Sequence, residues 1–365
     1  MNKTSRRDFL KRSICIAGAT VAGGQLSNVL GLVGAARHAA LVSQREPAAA
    51  QQAGVEQRTG QGQGVEITET AGKLRVEING ELFTEYNFED VPKPYFYPVI
   101  GPTGENITRH WPMKEGENEE HDHPHQRSLW FGHGDVNGQD FWSEEKGFGR
   151  IVHDKFLEVS SGADVGVFKT GNKWVASNGK VVCTDTRVHR FYNRPGCKMM
   201  DFEITIEASE GDVRLGDTKE GTMAIRVAET MRLKGKVGEV GEGHIVNSEG
   251  LRDGQTWGKR AAWCDYYGPV KGKIAGVAIF DHPQNLRHPT WWHVRDYGLF
   301  AANPFGVHDF EGKAEGTGDI TIAAGESLTL WYRFYFHKGN EKEADVAKHY
   351  REYAETEPPE RKKAL

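Results

Sequence analysis

The sequence predicts an all-β protein, a large antiparallel β-sandwich of the jelly-roll or supersandwich type with a C-terminal helix. Two observations favour this fold class. From residue 65 onward, short runs of alternating apolar and polar residues are separated by Gly, Asn and Asp, which is typical of strands and turns. A helical period of about 3.6 residues occurs only near the C-terminus. Many strands and a single helix indicate two packed antiparallel sheets.

The individual strands are predicted from this alternation. Lys73–Ile78 ends at Asn79-Gly80, and both of these residues tolerate the positive φ of a tight hairpin turn. The other predicted strands are Val181–Tyr192, Met199–Ala208, Thr222–Ala228, Ile274–Asp281, Ile320–Ile322 and Ser327–His337.

The last strand and the tail differ in their period. Alternate residues of the strand share a face, so one face is predicted to carry Leu330, Tyr332, Phe334 and Phe336. From 341 to 355, Ala344, Ala347, Tyr350 and Ala354 recur at helical spacing. We therefore expect one domain over residues 65–357, which ends with this helix, and a short tail over 358–365.

The N-terminus has the pattern of an export signal. Ser5-Arg6-Arg7-Asp8-Phe9-Leu10-Lys11 precedes a weakly apolar, Gly- and Ala-rich segment, as in twin-arginine signals. We predict a signal peptide over 1–36 and a disordered linker over 37–64, which has few large apolar residues. The alternative is a basic N-terminus before a membrane anchor. The prediction places the protein in the periplasm or outside the cell, exported in folded form.

Charge and cysteine content narrow the possible functions. The formal net charge of −5 gives no basic footprint for nucleic acid, and no segment after the signal is apolar enough to span a membrane. Three cysteines follow the signal, Cys183, Cys197 and Cys264, without a CxxC spacing. They allow at most one internal disulfide, for which Cys183–Cys197 is the candidate.

The most informative segment is His121–Trp142, HDHPHQRSLWFGHGDVNGQDFW. Its mixture of His, Asp, Arg and Trp is costly to bury without partners, and predicts one wall of a site. The spacing suggests a divalent metal held by His123, His125 and His133, with Asp135 as another candidate ligand. Hydrogen bonding to a sugar by the same histidines remains the alternative.

Other residues of this segment are candidates for catalysis or binding. Arg127 and Asp135 could form a pair that orients a histidine, or Arg127 could bind a carboxylate or hydroxyl groups of a ligand. A structural salt bridge is the alternative. Trp130 could stack on a sugar ring, whereas Phe131 and Phe141 are expected in the core. Gly132, Gly134 and Gly138 are expected in turns.

Two further segments could complete the site. Phe280–Phe305 is also rich in His, Arg and Trp, and we expect it to meet the first segment in one pocket. It supplies the candidate catalytic residues His293 and Arg295. Pro92–Arg109 is expected at the rim of the pocket or as a connecting loop. The candidate substrate-binding residues of all segments are Tyr97, Arg109, Trp130, Asn137, His282, Asn285, Trp291 and Asn303.

These motifs resemble the PmoA-like family of secreted bacterial proteins, commonly labelled methane oxygenase PmoA. The resemblance covers residues 70–350 and is carried by PYFYPVIGPTG, DHPHQRSLWFGHGDVNGQDFW, GTMAIRVAE, WGKRAAWCDYYG and IFDHPQNLRHPTWWHVRDYGLFAANPFG. It implies an exported β-sandwich protein of the kind found in glycan-degrading bacteria. The residues that match the family pattern are His123, His125, Arg127, His133, Asp135, Asn137, His282, Asn285, His293 and Arg295. Gln126 departs from it, because a histidine usually stands there.

The leading functional hypothesis is an exported carbohydrate-active enzyme of hydrolase, lyase or epimerase type, with or without a divalent metal. His125 or His293 would serve as acid or base, Arg127 or Arg295 would stabilise negative charge, and Asp135 would orient a histidine or bind metal. Its partner would be a carbohydrate or glycoside, with no nucleic acid and no membrane after signal cleavage. The alternatives are a non-catalytic glycan-binding protein and a metal-dependent oxygenase, which would need bound iron or copper.

Overall fold

The structure is a computed structural model that describes residues 62–235 and 241–357. The predicted signal, nearly all of the predicted linker and the predicted tail lie outside the described residues. In chain order, the strands of the described part are β1 (Val65–Thr70), β2 (Lys73–Ile78), β3 (Glu81–Asn87), β4 (Tyr95–Val99), β5 (Leu129–His133), β6 (Arg150–Ser160), β7 (Val165–Val175), β8 (Val181–Tyr192), β9 (Lys198–Glu207), β10 (Val213–Leu215), β11 (Gly221–Arg226), β12 (His244–Asn247), β13 (Trp263–Val270), β14 (Lys273–Asp281), β15 (Trp291–Val294), β16 (Leu299–Asn303), β17 (Ile320–Ile322) and β18 (Ser327–Lys338). The helices are α1 (Val307–Glu311) and α2 (Val346–Ala354), with 3₁₀ turns at Glu229–Met231 and Asp253–Gln255.

The strands form two large antiparallel sheets, which confirms the predicted all-β sandwich. The first sheet has the order β1-β2-β3-β4-β5-β11-β16-β15, and the second has the order β12-β13-β14-β18-β9-β8-β7-β6. Strands β10 and β17 pair separately. Side chains of both sheets meet in one apolar core, for example Phe131 of the first sheet stacked on Phe202 of the second. The outer face of each sheet is the face turned away from this core.

The alternation in β18 has the predicted consequence. Leu330, Tyr332, Phe334 and Phe336 all belong to the core. Burial of a large apolar side chain contributes roughly 1.5–3 kcal/mol, so this face fixes the register of the central strand of the second sheet. The outer face of the same strand carries Arg333, whose guanidinium bonds to Asp201 at 2.6 and 2.8 Å.

Two expectations about the second half of the chain need correction. The predicted helix over 341–355 begins only at Val346, because the Asn340 side chain accepts hydrogen bonds from the backbone of Lys342 and Glu343 and holds a turn there. The Cys183–Cys197 disulfide is absent. Cys183 lies in the core between the sheets, whereas Cys197 packs in a separate cluster, and all three described cysteines are free.

None of the helices within the described ranges has the length and apolar character that crossing a bilayer would require.

Candidate functional site

The outer face of the first sheet carries a row of paired residues from five neighbouring strands. Tyr95, Trp130, Ala224, Ala301 and His293 lie opposite one another in the registers of β4, β5, β11, β16 and β15. The first four form an apolar cluster separate from the main core. His293 ends the row on β15, the edge strand of the sheet. Two small alanines thus lie between an aromatic side and a histidine.

Trp142 covers the aromatic side of this row. Its side chain is fully buried, and its ring lies 5.1 Å from the ring of Trp130. Gly132 makes this cover possible, because a Cβ at that position would lie 2.7 Å from the carbonyl oxygen of Phe141. Gly132 is therefore a strand residue that admits close backbone approach, and the expected turn at this position is wrong; Gly138, with φ +81°, does lie in a turn. Trp130 is too deeply buried to stack on a ligand.

Two buried arginines, Arg109 and Arg226, bind the segment that carries His123. Both side chains are fully buried, and both guanidinium groups bind the carboxylate of Asp122. Burial acts to raise the pKa of Asp122, but the hydrogen bond from His123 and the charges of Arg226 and Arg109 lower it well below its usual value. Gln126, at the position that departs from the resembled family, is buried and accepts a hydrogen bond from Arg226. An amide oxygen can satisfy a guanidinium donor without adding charge.

Arg127 belongs to a second group in which two cations share one carboxylate. Its Nε donates to Glu144 at 2.8 and 3.0 Å, and Lys93 Nζ donates to the same carboxylate at 2.8 Å. Lys93 also donates to the carbonyl of Trp142 at 2.8 Å. Burial lowers the pKa of Lys93 although Glu144 opposes this effect. Arg127 is thus engaged in a structural ion pair with Glu144, and not in a pair with Asp135. Through Lys93, this ion pair is linked to the backbone of Trp142.

His123 and His125 lie on the surface of this assembly, outside any strand. The His123 ring stacks on Tyr297 with a centroid distance of 5.1 Å and an interplanar angle of 6°. His125 is half-buried, 5.7 Å from His123 and 6.4 Å from Trp142 between ring centroids. Burial lowers the pKa of His125 to about 3, with further lowering by Lys93, His123 and Arg109. Its imidazole is therefore neutral at pH 7.

Glu220 lies within electrostatic range of both candidate catalytic histidines. His293 is buried, its Nδ1 has no hydrogen-bond partner in the described residues, and burial lowers its pKa to about 4. The carboxylate of Glu220 opposes this lowering for His293 and also for His125. Glu220 pairs with Lys219 at 2.7 Å, and its side chain retains 36% of its exposure. One accessible carboxylate thus accompanies two neutral imidazoles.

Asn303 fixes the segment that carries Glu220. Its side-chain amide donates to the carbonyls of Thr218 and Lys219 at 2.9 and 3.0 Å, and its Oδ1 accepts from the amide of Phe305. The carbonyl of Glu220 in turn accepts from Gly134 at 2.7 Å. The donors and acceptors of the buried Asn303 amide are all engaged with the backbone, so none is free for a ligand. Asn303 instead holds the backbone just before Glu220 in position.

The first sheet brings some of the predicted residues together. His125, Arg127, His293 and Arg295 lie on or beside its outer face, and β11 separates the strands of the two His-rich segments. The segments meet at the stack of His123 on Tyr297. Arg295 places its guanidinium 5.5 Å from the Tyr297 ring centroid.

Four of the predicted site residues have structural partners in the loops. Asp135 pairs with Arg214 at 2.6 Å and caps Gly138, so it does not orient a histidine. Asn137 bonds to the backbone of Arg214 and Asp212. Tyr97 bonds to His110 at 2.7 Å, and buried Arg109 binds Asp122.

Two other predicted residues lie away from the outer-face row, whereas Trp291 lies on β15 two residues before His293 and shares its face. His282 Nε2 donates to the Thr356 carbonyl at 3.0 Å, just after α2, and Asn285 bonds to the backbone of Trp331 in β18 at 2.7 Å. Trp291 is buried and bonds to Glu311 of α1 at 3.0 Å.

The predicted metal ligands are not assembled. Within 62–235 and 241–357, no group of three or more His, Cys, Asp or Glu side chains is arranged to hold a metal ion. His133 is buried at the end of β5, where its Nε2 bonds to the Gly216 carbonyl at 2.9 Å, while His123 and His125 belong to the surface segment before that strand. The alternate spacing that suggested the ligand set does not lie on a strand, because residues 121–128 form an irregular segment with a turn at Pro124 and His125.

Sequence reasoning missed Glu220, Arg226 and Tyr297. Arg226 had a readable signal, since it is the charged residue of an otherwise uncharged strand, Gly221–Arg226. A charge in a buried strand needs a partner, which predicts a polar site on one face. Glu220 and Tyr297 do not stand out in the sequence in this way, because each follows several charged residues.

These features define the class of protein: an antiparallel β-sandwich with a polar site on the outer face of one sheet. The chain belongs to a family of unknown function, DUF6807, whose profile matches residues 73–351. No curated protein matches the chain.

Solved structures with similar folds share little sequence with it. The galactosidase domain of an α-galactosidase–sucrose kinase is 6% identical over 75% of this chain and 42% of that chain, with a TM-score of 0.39. A galactose mutarotase related enzyme from Lactobacillus acidophilus is 8% identical over 76% and 97%, with a TM-score of 0.31. A galactose mutarotase-like protein from Lactobacillus casei ATCC 334 is 9% identical over 75% and 100%, with a TM-score of 0.32. These similarities carry no information about catalytic residues.

Proposed function

We propose that this protein catalyses proton transfer on a saccharide at the outer face of the first sheet. Glu220 accepts or returns the proton, half-buried His125 hydrogen-bonds to an oxygen of the substrate, and buried His293 lies within electrostatic range of Glu220. The observation that carries the proposal is the partly exposed carboxylate of Glu220, which acts electrostatically on the neutral imidazoles of both His125 and His293. A positioned carboxylate is a suitable general base, provided that nearby groups stabilise the charge it creates.

The low pKa of His125 decides its role. At pH 7 the half-buried imidazole of His125 is neutral and offers one N–H donor and one acceptor nitrogen. This suits the hydroxyl groups and ring oxygen of a sugar, and it suits polarisation of a carbonyl-like oxygen in the transition state.

The charges around the site favour elimination or epimerisation over two-carboxylate hydrolysis. Ordinary glycosidases need a second free carboxylate about 5–10 Å from the first. The nearby candidates are Asp122 and Glu144. Each of these carboxylates is bound by two cationic side chains, so neither is free to act as the second catalytic carboxylate. Arg295, whose guanidinium lies over Tyr297, is available to stabilise an enolate-like charge.

The twin-arginine signal remains a prediction, and it supports the proposal because exported proteins meet extracellular glycans. The second candidate function is glycan binding without catalysis. The half-buried ring of Tyr297, flanked by Arg226 and Arg295, favours it as much as catalysis.

The test uses exchange of sugar C–H protons for deuterium. The mature protein is incubated in D₂O with monosaccharides, uronates and their oligomers, and proton NMR follows the loss of C–H signals, new epimers and new alkene protons. We expect wild type to produce one of these changes and Glu220→Gln to lose it at least a hundredfold while it still binds the sugar. His125→Gln and His293→Gln should lose at least tenfold. His349→Gln, on α2, is the matched control.

Two results would decide against catalysis. Sugar binding by wild type without any exchange or product identifies the glycan-binding alternative. Turnover that survives in Glu220→Gln removes the carboxylate from the mechanism and overturns the proposed site.

A further inference from the structure

A cavity lies beside Arg295, at the end of the edge strand β15 of the first sheet. It has a volume of about 310 Å³, at the lower end of the range for small-molecule sites. Its walls come from three places: Ile245 on β12, the 3₁₀ turn with Asp253 and Gly254, and the end of β15 with Val294 and Arg295. Trp257 completes the wall.

Arg295 joins this cavity to the site. Its guanidinium carbon lies 5.5 Å from the ring centroid of Tyr297 and 5.9 Å from that of Trp257. Tyr297 in turn stacks on His123, next to His125. A continuous series of planar groups therefore runs from the candidate catalytic histidines to the cavity.

The wall chemistry indicates a hydroxylated ring as the occupant. Trp257 presents an aromatic ring, and its indole Nε1 is buried without a hydrogen-bond partner in the described part of the chain. Arg295 supplies positively charged hydrogen-bond donors, and the carboxylates of Asp253 and Asp296 supply negatively charged acceptors. Aromatic surface beside planar polar groups suits a sugar ring better than an apolar aglycone.

The geometry points to a second sugar subsite at Trp257 and Arg295, so that the substrate is a glycoside with at least two rings. This inference rests on the proposed function, since it assumes that the first ring occupies the site at His125, His293 and Glu220. The second ring lies over Trp257 in the 310 Å³ cavity, and Arg295 contacts both rings.

Two variants test the subsite. Trp257→Ala removes the aromatic wall. Gly254→Phe adds a ring to a residue that lines the cavity, and a Cβ at this glycine meets no atom within 4 Å. Calorimetry compares the methyl glycosides of glucose, galactose, mannose, xylose and galacturonate with cellobiose, lactose, mannobiose, xylobiose and digalacturonate.

We expect wild type to bind one disaccharide at least tenfold more tightly than the matching methyl glycoside. Both variants should remove this difference and change monosaccharide binding less than twofold. Equal binding of one and two rings by wild type, or equal weakening of both by the variants, overturns the subsite.

The outcomes separate the two proposals. Deuterium exchange on a sugar without any two-ring preference leaves the proposed function standing and rejects the subsite. A two-ring preference without exchange supports the subsite and rejects catalysis. If none of these saccharides binds, both proposals fail.

Discussion

The phenol ring of Tyr297 lies parallel to the imidazole of His123, with 5.1 Å between centroids and 6° between planes. On the phenol ring also lies the buried guanidinium of Arg226, 4.7 Å from its centroid. Tyr297 thus joins the two His-rich segments. It also contacts Arg226, which binds the 121–128 segment through the carboxylate of Asp122. The orientation of His125 depends on this contact, because the same segment carries both histidines.

Tyr297→Ala is expected to destabilise the protein by about 2 kcal/mol and to loosen the 121–128 segment, since a stacked aromatic pair contributes about 0.5–1.5 kcal/mol beyond its burial. Tyr297→Phe keeps the ring and should cost less than about 1 kcal/mol. Amide hydrogen exchange of residues 121–128 measures the loosening. Equal protection in the Ala and Phe variants would mean that the stack does not hold the segment.

Several strands could be predicted from the sequence because one face is buried and the other is more exposed, as in Lys73–Ile78. Lys73–Ile78, Val181–Tyr192 and Ile320–Ile322 have the predicted bounds, and the alternation of β18 gave its core face correctly. The order of strands in a sheet could not be predicted in this way. That β11 inserts between β5 and β16 depends on pairing between segments about 90 residues apart, which leaves no local pattern.

The site was predicted less well for the same reason. Arg127 and Asp135 are neighbours in sequence and plausible partners, yet each has a carboxylate or guanidinium partner from elsewhere, Glu144 and Arg214. Whether a polar side chain is free for a ligand depends on such partners, which composition does not reveal. His293 stays a predicted site residue, and nothing in the sequence indicated the carboxylate of Glu220 near it.

Asp122→Asn should be strongly destabilising, because it leaves the fully buried guanidinium groups of Arg109 and Arg226 without a shared carboxylate. Breaking a buried ion pair from one side commonly costs about 3–5 kcal/mol, and partial exposure of Asp122 places the expected loss near the lower limit, about 3 kcal/mol. The control is Asp154→Asn, whose pair with Lys173 is largely exposed and should cost less than about 1 kcal/mol. Denaturation by urea measures both; similar losses would contradict the assigned role.

The buried imidazole of His133 is expected to make the folded protein less stable in acid. Burial lowers its pKa to about 4 in the folded chain, against 6.5 for an ordinary histidine. Between these pH values the unfolded chain binds a proton that the folded chain does not, so the free energy of unfolding decreases as the pH falls through this window. The contribution approaches about 1.4 kcal/mol per pH unit.

His133→Gln should remove this part of the slope, because the amide can still donate to the Gly216 carbonyl but does not titrate. Urea denaturation at pH 7, 6, 5 and 4.5 measures the slope. A variant with the wild-type slope would show that His133 is protonated in the folded protein as readily as in the unfolded one.

Asn303 and Asn285 were both predicted to bind substrate, and both are buried amides with backbone partners. Replacing either by Ala should cost about 1–3 kcal/mol, since backbone groups lose their partners. Only Asn303 holds the segment that carries Glu220, so only Asn303→Ala should reduce kcat, by about tenfold or more, through misplacement of the carboxylate. Asn285→Ala, on the side of the second sheet, should retain kcat at temperatures where it is folded. Steady-state kinetics and denaturation on the two variants separate positioning from stability, and an equal loss of kcat in both would leave the segment around Glu220 without a special role.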